Sequence, residues 1–324
     1  MNLNEQYFDK AMAMLEARRR QNKLTEEQRH DEVCRKIPEY AKLEELLADT
    51  SRKLIMIIIN DKENAEEKLK KLEEGNLGIQ RNMTALLKQG GFPEDYLQPI
   101  YSCPICQDKG TSNGRWCECF QRLMLNAAAE ELNSVSPLKL STFDSFRLDY
   151  YSDESDPAVG ASPRAVMKRN LEFCKSYAES FTLDSNGIYM SGGTGLGKTH
   201  LSLAIADAVI RKGHSVIYGS APELLRVLER EFYGRSDGDT MDTLTKCDLL
   251  ILDDLGAEME KQQYTSLVYE LVNARVSRNL PMVVSSNLSV TELQQRYHDR
   301  ICSRLFSFEM LMFIGADVRR KISR

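Results

Sequence analysis

The amino-acid sequence predicts an α/β fold, in which helices cover a parallel sheet and a helical region precedes it. The first observation is that short apolar runs alternate with helical stretches after about residue 165. The runs lie at residues 188–190, 216–218, 249–252 and 282–284. They lack polar alternation, which is typical of strands buried on both faces of a parallel sheet. The second observation is a glycine-rich segment at 192–199, between the first run and a helix.

Length and composition limit the kind of protein this chain can be. Its 324 residues are enough for about two domains with buried cores. A formal net charge of −5 excludes a surface coated in positive charge, so nucleic-acid binding would need a local basic surface. Arg226, Arg230 and Arg235 are candidates, although a solvated helix face explains each of them as well. We expect a cytoplasmic protein without a membrane anchor, because no spanning apolar run or signal-peptide pattern is present.

Residues 1 to about 90 are highly charged, and their apolar side chains have helical spacing. Thr25 followed by Gln28 matches a capping box, which predicts that a second helix begins there. Leucine and isoleucine then recur at spacings of three and four, as in a helical hairpin or a short coiled coil. Residues 54–59 could instead form a buried strand, although helical spacing on both sides favours a helix.

Breaks in this pattern suggest three segments. Glycine and proline at 90–93 end the helical stretch, and a cysteine cluster follows at 103–119. We therefore predict a helical N-terminal region at 1–132, a connector rich in Ser, Asp and Pro at 133–163, and the α/β domain at 164–324.

Four of the eight cysteines are crowded together, namely Cys103, Cys106, Cys117 and Cys119. In a reducing compartment such a cluster indicates a metal site, whereas lone cysteines usually serve as small core residues. Four thiolates are the number that tetrahedral Zn²⁺ needs in a closed structural site. A zinc knuckle of this kind would stabilise a segment too short to have its own core. Free buried thiols and a redox or iron–sulfur role are the alternatives.

The glycine-rich segment matches the P-loop pattern G-x-x-x-x-G-K-[ST]. Glycines let the backbone approach phosphate closely, and the N-terminus of the following helix adds positive potential. Lys198 would neutralise β- and γ-phosphate oxygens, and the Thr199 hydroxyl would bind Mg²⁺. We therefore predict an ATP site whose nucleotide-binding residues are Gly192, Gly193, Thr194, Gly195, Leu196, Gly197, Lys198, Thr199 and His200.

Two carboxylates follow the apolar run at 249–252. They fall at the carboxyl end of a predicted strand, where ligands bind in parallel sheets. Asp253 is placed to bind Mg²⁺, and Asp254 to orient or deprotonate an attacking water. The alternative is that both acids only cap the following helix.

Three further polar residues are candidates for catalysis. Asn287 follows the run at 282–284 and could sense the γ-phosphate, although Asn often closes a strand into a turn. Arg304 and Arg319 carry permanently charged guanidinium groups that can grip phosphate oxygens. A guanidinium supplied by a neighbouring subunit would act as an arginine finger. Solvated surface charge explains both arginines equally well.

Together these motifs resemble those of AAA+ ATPases, and in detail those of DnaC/DnaI-type helicase loaders and the related IstB-type transposition helpers. The similarity covers about residues 140–324, and the N-terminal region more loosely. Its specific elements, besides the P-loop, are Thr-Phe-Asp-Ser-Phe at 142–146, Asp-Asp at 253–254, Ser-Ser-Asn-Leu at 285–288 and Ser-Arg-Leu at 303–305.

The resemblance implies a role for each matched residue. Lys198 and Thr199 would be the Walker A lysine and magnesium ligand. Asp253 and Asp254 would be the Walker B carboxylates, and Asn287 would be the sensor 1 residue. Arg304 would be the trans-acting arginine finger, and Arg319 the sensor 2 residue. Residues 143–146 would border the adenine pocket, and 220–245 would occupy the place of a helical insertion.

The resemblance also implies partners. Family members self-associate through the ATP site and bind single-stranded DNA along the inner face of the oligomer. The helical N-terminal region with its cysteine cluster is similar to the part of loaders that contacts the replicative helicase. The leading hypothesis is thus an ATP-dependent loader of a hexameric DnaB-type helicase, with slow, partner-stimulated hydrolysis.

Three other functions are weighed against the loader. An IstB-type transposition helper would use the same ATPase to deliver a transposase. A nucleotide-gated adaptor would bind its partner with little turnover. A small-molecule kinase would need an acceptor pocket and a lid, and would leave the cysteine cluster and Arg304 without a purpose.

Overall fold

The computed structural model describes residues 5–60, 65–135, 141–157, 160–234 and 239–319. The chain divides into two compact units, one made of Met1–Met12 with Phe120–Arg324 and the other of Ala13–Cys119. The domain limits expected from the sequence, after residues 132 and 163, stay predictions. Arg235, a candidate for a basic surface, lies outside the described residues.

Helices make up most of the unit at Ala13–Cys119. They are α1 (Glu5–Lys36), whose first turns belong to the other unit, α2 (Pro38–Asn60) and α3 (Ala65–Gln89). The last two pack against each other, as a helical hairpin does. A small core consists of Val33, Tyr40, Met83, Leu87 and Phe92.

The backbone corrects one prediction about these helices and confirms another. The expected helix start at Thr25 is wrong, because α1 is continuous through this position. The Thr25 hydroxyl donates to the Gln21 carbonyl 2.9 Å away, so its side chain bonds within the helix and does not cap one. Residues 54–59 are helical, as the spacing on both sides predicts, and the strand alternative is wrong. The first helix ends where Pro38 starts the next, at the position that tolerates proline best.

The cysteine cluster surrounds a short hairpin. Strands β1 (Thr111–Ser112) and β2 (Arg115–Trp116) pair antiparallel. Asn113 and Gly114 join them with φ angles of 52° and 72°. Asn-Gly with two positive φ angles is the usual chemistry of a two-residue hairpin turn. The turn brings the second cysteine pair back toward the first.

The other unit contains the α/β fold. Its elements are α4 (Glu118–Val135), two 3₁₀ turns (Phe143–Ser145 and Leu148–Tyr150), α5 (Pro163–Glu179), β3 (Ile188–Gly192), α6 (Lys198–Arg211), β4 (Val216–Ser220), α7 (Ala221–Phe232), α8 (Thr240–Lys246), β5 (Leu249–Leu255), α9 (Gln262–Ser277), β6 (Met282–Ser286), α10 (Val290–Leu305) and β7 (Glu309–Phe313). The five strands β3 to β7 form one sheet in the order β4-β5-β6-β3-β7, and every neighbouring pair is parallel.

Both faces of this sheet are buried, which confirms the predicted fold class. Successive strand residues point to opposite faces. Leu250 and Leu252 pack into a core with Val284, whereas Leu249 and Ile251 pack into a second core. Helices supply the rest of each core, so the sheet is covered on both sides.

One edge of the sheet gathers the sequence motifs. The strands β3, β5 and β6 lie near one another, and their carboxyl ends carry the P-loop, Asp253–Asp254 and Asn287. The sequence did not predict β7, whose exposed and buried residues alternate at the sheet edge. Among the described residues, no helix is long and apolar enough to span a membrane.

Candidate functional site

The P-loop has a backbone that its glycines make possible. Gly195 and Gly197 have φ angles of 74° and 93°, a region that other residues rarely adopt. A Cβ atom on Gly195 would lie 1.9 Å from Asp317 Oδ1, and one on Gly197 would lie 2.8 Å from the Tyr151 hydroxyl oxygen. The following helix α6 begins at Lys198, so its N-terminus and free N–H groups face the loop. This arrangement suits a phosphate group.

Lys198 is held inside the loop. Its side chain is buried, and Nζ donates to the carbonyls of Gly192 and Gly193 at 2.6 and 2.8 Å and to Asn287 Oδ1 at 2.6 Å. Burial lowers the pKa of Lys198, and the negative charges of Asp254 and Asp253 oppose that shift. A phosphate oxygen could replace any of the three neutral acceptors and would bond more strongly to the ammonium.

Asp253 is buried and accepts from three hydroxyl groups. Thr199 Oγ1 and the Tyr218 hydroxyl each donate to Oδ2 at 2.8 Å, and Ser285 Oγ donates to Oδ1. A carboxylate and a threonine hydroxyl in direct contact are oxygen ligands of the kind Mg²⁺ takes. The donor set therefore fits the predicted magnesium ion.

Asp254 adopts a backbone conformation that is uncommon for residues other than glycine. Its φ angle is 59°, at a register irregularity of β5 between Leu252 and Leu255. Its N–H donates to Ser285 Oγ at 2.9 Å, and its carboxylate accepts from Asn287 Nδ2. Such strain persists only where the surroundings enforce it, and it is common at functional sites. Here it turns the second carboxylate into the cavity beside the P-loop.

Most of these groups line one cavity of about 510 Å³, a size typical of a small-molecule site. Its polar lining includes Lys198, Asp254 and Asn287. Its lining also includes Phe146 and Tyr151, whose rings stack with centroids 5.8 Å apart, and His200, which meets Phe146 edge-on at 5.3 Å. An apolar, aromatic wall beside a phosphate-binding loop is suited to a purine nucleotide.

The structure brings most of the predicted site residues together. The cavity is lined by Thr194, Gly195, Leu196, Gly197, Lys198, Thr199, His200, Asp254, Asn287 and Arg319. Three other predicted residues contact side chains of this lining. Lys198 donates to the carbonyls of Gly192 and Gly193, and Thr199 donates to the carboxylate of Asp253.

Arg304 lies elsewhere. Its Nε donates to Asn273 Oδ1 at 3.0 Å, and Nη1 donates to the Arg300 carbonyl at 2.7 Å. Its guanidinium carbon lies 5.1 Å from the centroid of the Tyr269 ring. It is not among the described residues that line the cavity of its own chain.

Sequence reasoning missed three hydroxyl groups that position the site. Tyr218 and Ser285 hold Asp253, and the buried Tyr151 hydroxyl donates to the P-loop carbonyl of Leu196 at 2.9 Å. A signal existed for Ser285, which stands two residues before Asn287 on the strand next to β5. The other two contacts need the three-dimensional neighbours.

The four clustered cysteines converge to metal-binding distances. All four sulfur atoms lie within 4.8 Å of one another, and the pairs Cys103–Cys117 and Cys106–Cys119 are 3.8 and 3.3 Å apart. Tetrahedral zinc with bonds of about 2.3 Å would place its sulfur ligands about 3.8 Å apart. A backbone N–H of Cys106 lowers the pKa of the Cys103 thiol to about 7, whereas burial and the neighbouring thiols raise that of Cys119.

The first cysteine pair is shaped by Asp108, which the sequence did not single out. This buried carboxylate accepts from the backbone N–H groups of Ser102 and Cys103, at 2.8 and 2.9 Å, and from Asn22 Nδ2 at 2.9 Å. Its φ angle of 57° continues a tight turn after Cys106. The turn brings the sulfur atoms of Cys103 and Cys106 close together.

Part of the chain matches a known protein family. Residues 164–306 match the family of IstB-like ATP binding proteins. The resemblance expected from the motifs is confirmed for this IstB-like segment.

Curated relatives match over nearly the same length. The chain is 32% identical over 146 residues to the replicative helicase loader DnaI of Bacillus subtilis (strain 168), covering 45% of this chain and 45% of that protein. It is 25% identical over 137 residues to the replicative helicase loader DnaC of Escherichia coli (strain K12), covering 42% and 56%. The chain thus spans about half the length of the curated relatives it matches.

Solved structures of these two kinds of protein are also similar. A crystal structure of the DnaC helicase loader aligns with a TM-score of 0.45 and 20% identity, covering 53% of this chain and 98% of that one. A crystal structure of DnaI aligns with a TM-score of 0.44 and 21% identity, covering 55% and 90%. The fold itself is established by the parallel sheet and its two buried faces.

Proposed function

We propose that this protein is an ATP-dependent loader that delivers a hexameric DnaB-type helicase to DNA. The observation that supports it best is the single cavity in which Lys198, the Thr199–Asp253 pair and the Asp254–Asn287 pair meet. These are the groups that binding a nucleoside triphosphate and activating a water require. Among the relatives, DnaI and DnaC carry the name of replicative helicase loaders.

The residues divide the work of hydrolysis. Lys198 exchanges its carbonyl partners for β- and γ-phosphate oxygens. Thr199 and Asp253 would hold Mg²⁺, which would neutralise charge on the phosphates. Asp254 orients or deprotonates the attacking water. Asn287 donates to the Asp254 carboxylate and fixes its position. Arg319, in the same cavity, adds positive charge near the phosphates.

Arg304 belongs, in this proposal, to the site of a neighbouring copy. It lies outside the lining of its own cavity, where a finger acting in trans is expected. A test uses two inactive variants, Arg304→Ala and Lys198→Ala. Mixed together they should regain ATP hydrolysis, because Lys198→Ala subunits supply Arg304 to intact P-loops. A mixture as inactive as its parts, at concentrations where the protein self-associates, contradicts the trans arrangement.

The partner is tested with two candidates side by side. The full chain is incubated with a DnaB-type helicase or with a transposase of the IS21 type, since the matched family is named for IstB. We expect nucleotide-dependent capture of the helicase and stimulation of ATP hydrolysis by helicase and single-stranded DNA. Capture of the transposase alone would favour the transposition helper. Helicase delivery by a hydrolysis-deficient Asp254→Asn variant would favour a nucleotide-gated adaptor.

For single-stranded DNA, α7 is the proposed contact. Arg226 and Arg230 are exposed, and the aromatic residues Phe232 and Tyr233 that follow are 70% and 57% exposed. Basic groups beside exposed rings suit a sequence-tolerant single strand, which binds by charge and stacking. Affinity should fall steeply with salt and should drop in Phe232→Ala. Salt-independent binding would count against this contact.

The cysteine cluster is proposed to hold a structural Zn²⁺. The sulfur spacing and the turn at Asp108 support it, and the measured zinc content of the purified protein tests it. One zinc per chain that is lost in Cys106→Ser is expected from this cluster.

A further inference from the structure

A second group of metal-type ligands lies at the junction of α1 and α2. His30 and Cys34 are four residues apart and therefore share one face of α1, and Glu44 reaches them from α2. The donor atoms of the three side chains lie within 4.8 Å of one another. None of the three belongs to the cysteine cluster.

The donors stand on a hydrogen-bonded and packed junction. The Ile37 N–H donates to the Val33 carbonyl at 2.8 Å, and the Tyr40 N–H donates to the Ile37 carbonyl at 2.9 Å, so the turn between the helices is tight. Val33 and Tyr40 are buried in the small core of this unit. A site built on packed helices needs little reorganisation when a ligand binds.

The distances fit a metal ion at the imidazole nitrogen. Cys34 Sγ lies 3.6 Å from His30 Nε2, and Glu44 Oε2 lies 2.7 Å from the same nitrogen. Bonds of about 2.0 Å to nitrogen or oxygen and about 2.3 Å to sulfur give tetrahedral spacings of about 3.5 Å for N–S and about 3.3 Å for N–O. The thiol lies within about 0.1 Å of this spacing, and the carboxylate would retreat by about 0.6 Å.

The donor types select the class of metal. A thiolate and an imidazole are preferred by Zn²⁺ and Co²⁺, whereas Mg²⁺ and Ca²⁺ prefer oxygen alone. The His30 and Glu44 side chains are 42% and 46% exposed, so water can enter and complete the coordination. Asp31 Oδ1 lies 3.9 Å from His30 Nδ1, too far for a hydrogen bond, and adds a negative charge beside the ring.

We propose that His30, Cys34 and Glu44 form an exchangeable site for Zn²⁺ or Co²⁺, with one imidazole, one thiolate, one carboxylate and water as ligands. An ion at this position cross-links the last turns of α1 to α2. Binding to the folded form alone stabilises this junction, and above the dissociation constant the stabilisation grows with the logarithm of metal concentration. Because it has one thiolate and lies open to solvent, the site binds more weakly than the four-cysteine cluster.

The test is a Co²⁺ titration of the full chain and its variants, followed by the thiolate-to-cobalt absorption band and by bound metal per chain. Cys34→Ser and His30→Ala should each bind one equivalent less than the wild-type protein. Glu44→Gln should weaken that equivalent by at least about tenfold. The matched control is Glu45→Gln, whose exposed carboxylate adjoins Glu44 in sequence and should change nothing.

The readout is a difference between variants, so it separates this site from the cysteine cluster. If the cluster bound no metal, Cys34→Ser would still lose one equivalent relative to wild type, and Cys106→Ser would lose none. Equal metal content and equal absorption in wild type and Cys34→Ser would overturn the proposal. So would a loss of the same size in Glu45→Gln and Glu44→Gln.

Discussion

The nucleotide cavity and the cysteine cluster hold their functional groups in different ways. In the cavity, Lys198 has three acceptors and Asp253 has three hydroxyl donors, supplied by the packed sheet, by α6 and by the loops at the strand ends. In the cluster, the buried side chains are Cys103, Cys106 and Cys117 themselves, with Cys119 packed against them. Thiols are weak donors and acceptors, so they stabilise one another little. The fold thus shapes the first site, whereas in the second Asp108 orders the turn at the first cysteine pair and a bound metal would hold the two pairs together.

The largest predicted effect, which would sharpen this contrast, follows removal of the metal from the cysteine cluster. Cys106→Ser, or treatment with a zinc chelator, should unfold residues 103–119, because structural zinc contributes roughly 10–16 kcal/mol in small knuckles. Hydrogen exchange at the Cys117 N–H, which donates to the Gly110 carbonyl at 2.9 Å, measures it. Cys174→Ser, at a buried cysteine outside the cluster, is the control. Unchanged protection after chelation would show that this segment folds without metal.

The next effect concerns turnover in the preformed cavity. Asp254→Asn should lower ATP hydrolysis by about 10²- to 10⁴-fold, the usual contribution of a general base, with ATP affinity nearly unchanged. Asparagine tolerates a positive φ angle, so the backbone should keep its shape. Asp242→Asn, which removes a carboxylate paired with Lys246, should have wild-type turnover. Full hydrolysis by Asp254→Asn would remove this residue from the mechanism.

A smaller effect is expected on binding. Lys198→Ala should weaken ATP binding by roughly 10- to 150-fold, since a hydrogen bond to a charged group contributes about 1.5–3 kcal/mol. Calorimetric titration of full-length protein measures the change. The control is Lys212→Ala, whose lysine is exposed just beyond the other end of α6. Equal losses in both variants would mean that general charge, and not the P-loop position, determines affinity.

The smallest predicted effect distinguishes a specific loss of ATP affinity from a general loss of folding stability. Tyr151→Phe removes a hydrogen bond to the P-loop carbonyl of Leu196 and should cost about 1 kcal/mol of unfolding free energy and about 2- to 10-fold in ATP affinity. Tyr177→Phe removes a bond of equal length, 2.9 Å, to the Asn186 carbonyl away from the cavity. It should lower stability similarly and leave ATP affinity unchanged. If both variants lose affinity equally, the Tyr151 hydroxyl has no special role at the P-loop.

The sequence predicted most accurately the features that depend on residues adjacent along the chain. The P-loop and the strand runs are local patterns, so the cavity's phosphate-binding end could be anticipated. The partners of Asp253 could not, since Tyr218 and Ser285 are 35 and 32 residues away and reach it only through the strand order. The edge strand β7 was missed although residues 310–314 are a continuous apolar run, because periodicity alone does not distinguish so short a run from part of a buried helix. At Thr25, a local pattern misled because the helix simply continues.

The backbone conformation of Asp254 implies a conflict between thermal stability and catalytic activity. A residue held at this φ angle costs roughly 1–3 kcal/mol, which glycine would recover by relaxing the chain. Selection for heat resistance alone would therefore favour replacing the carboxylate that the proposed chemistry needs. Thermostable variants of this protein should be screened for turnover as well as melting temperature, because the two properties compete at this position.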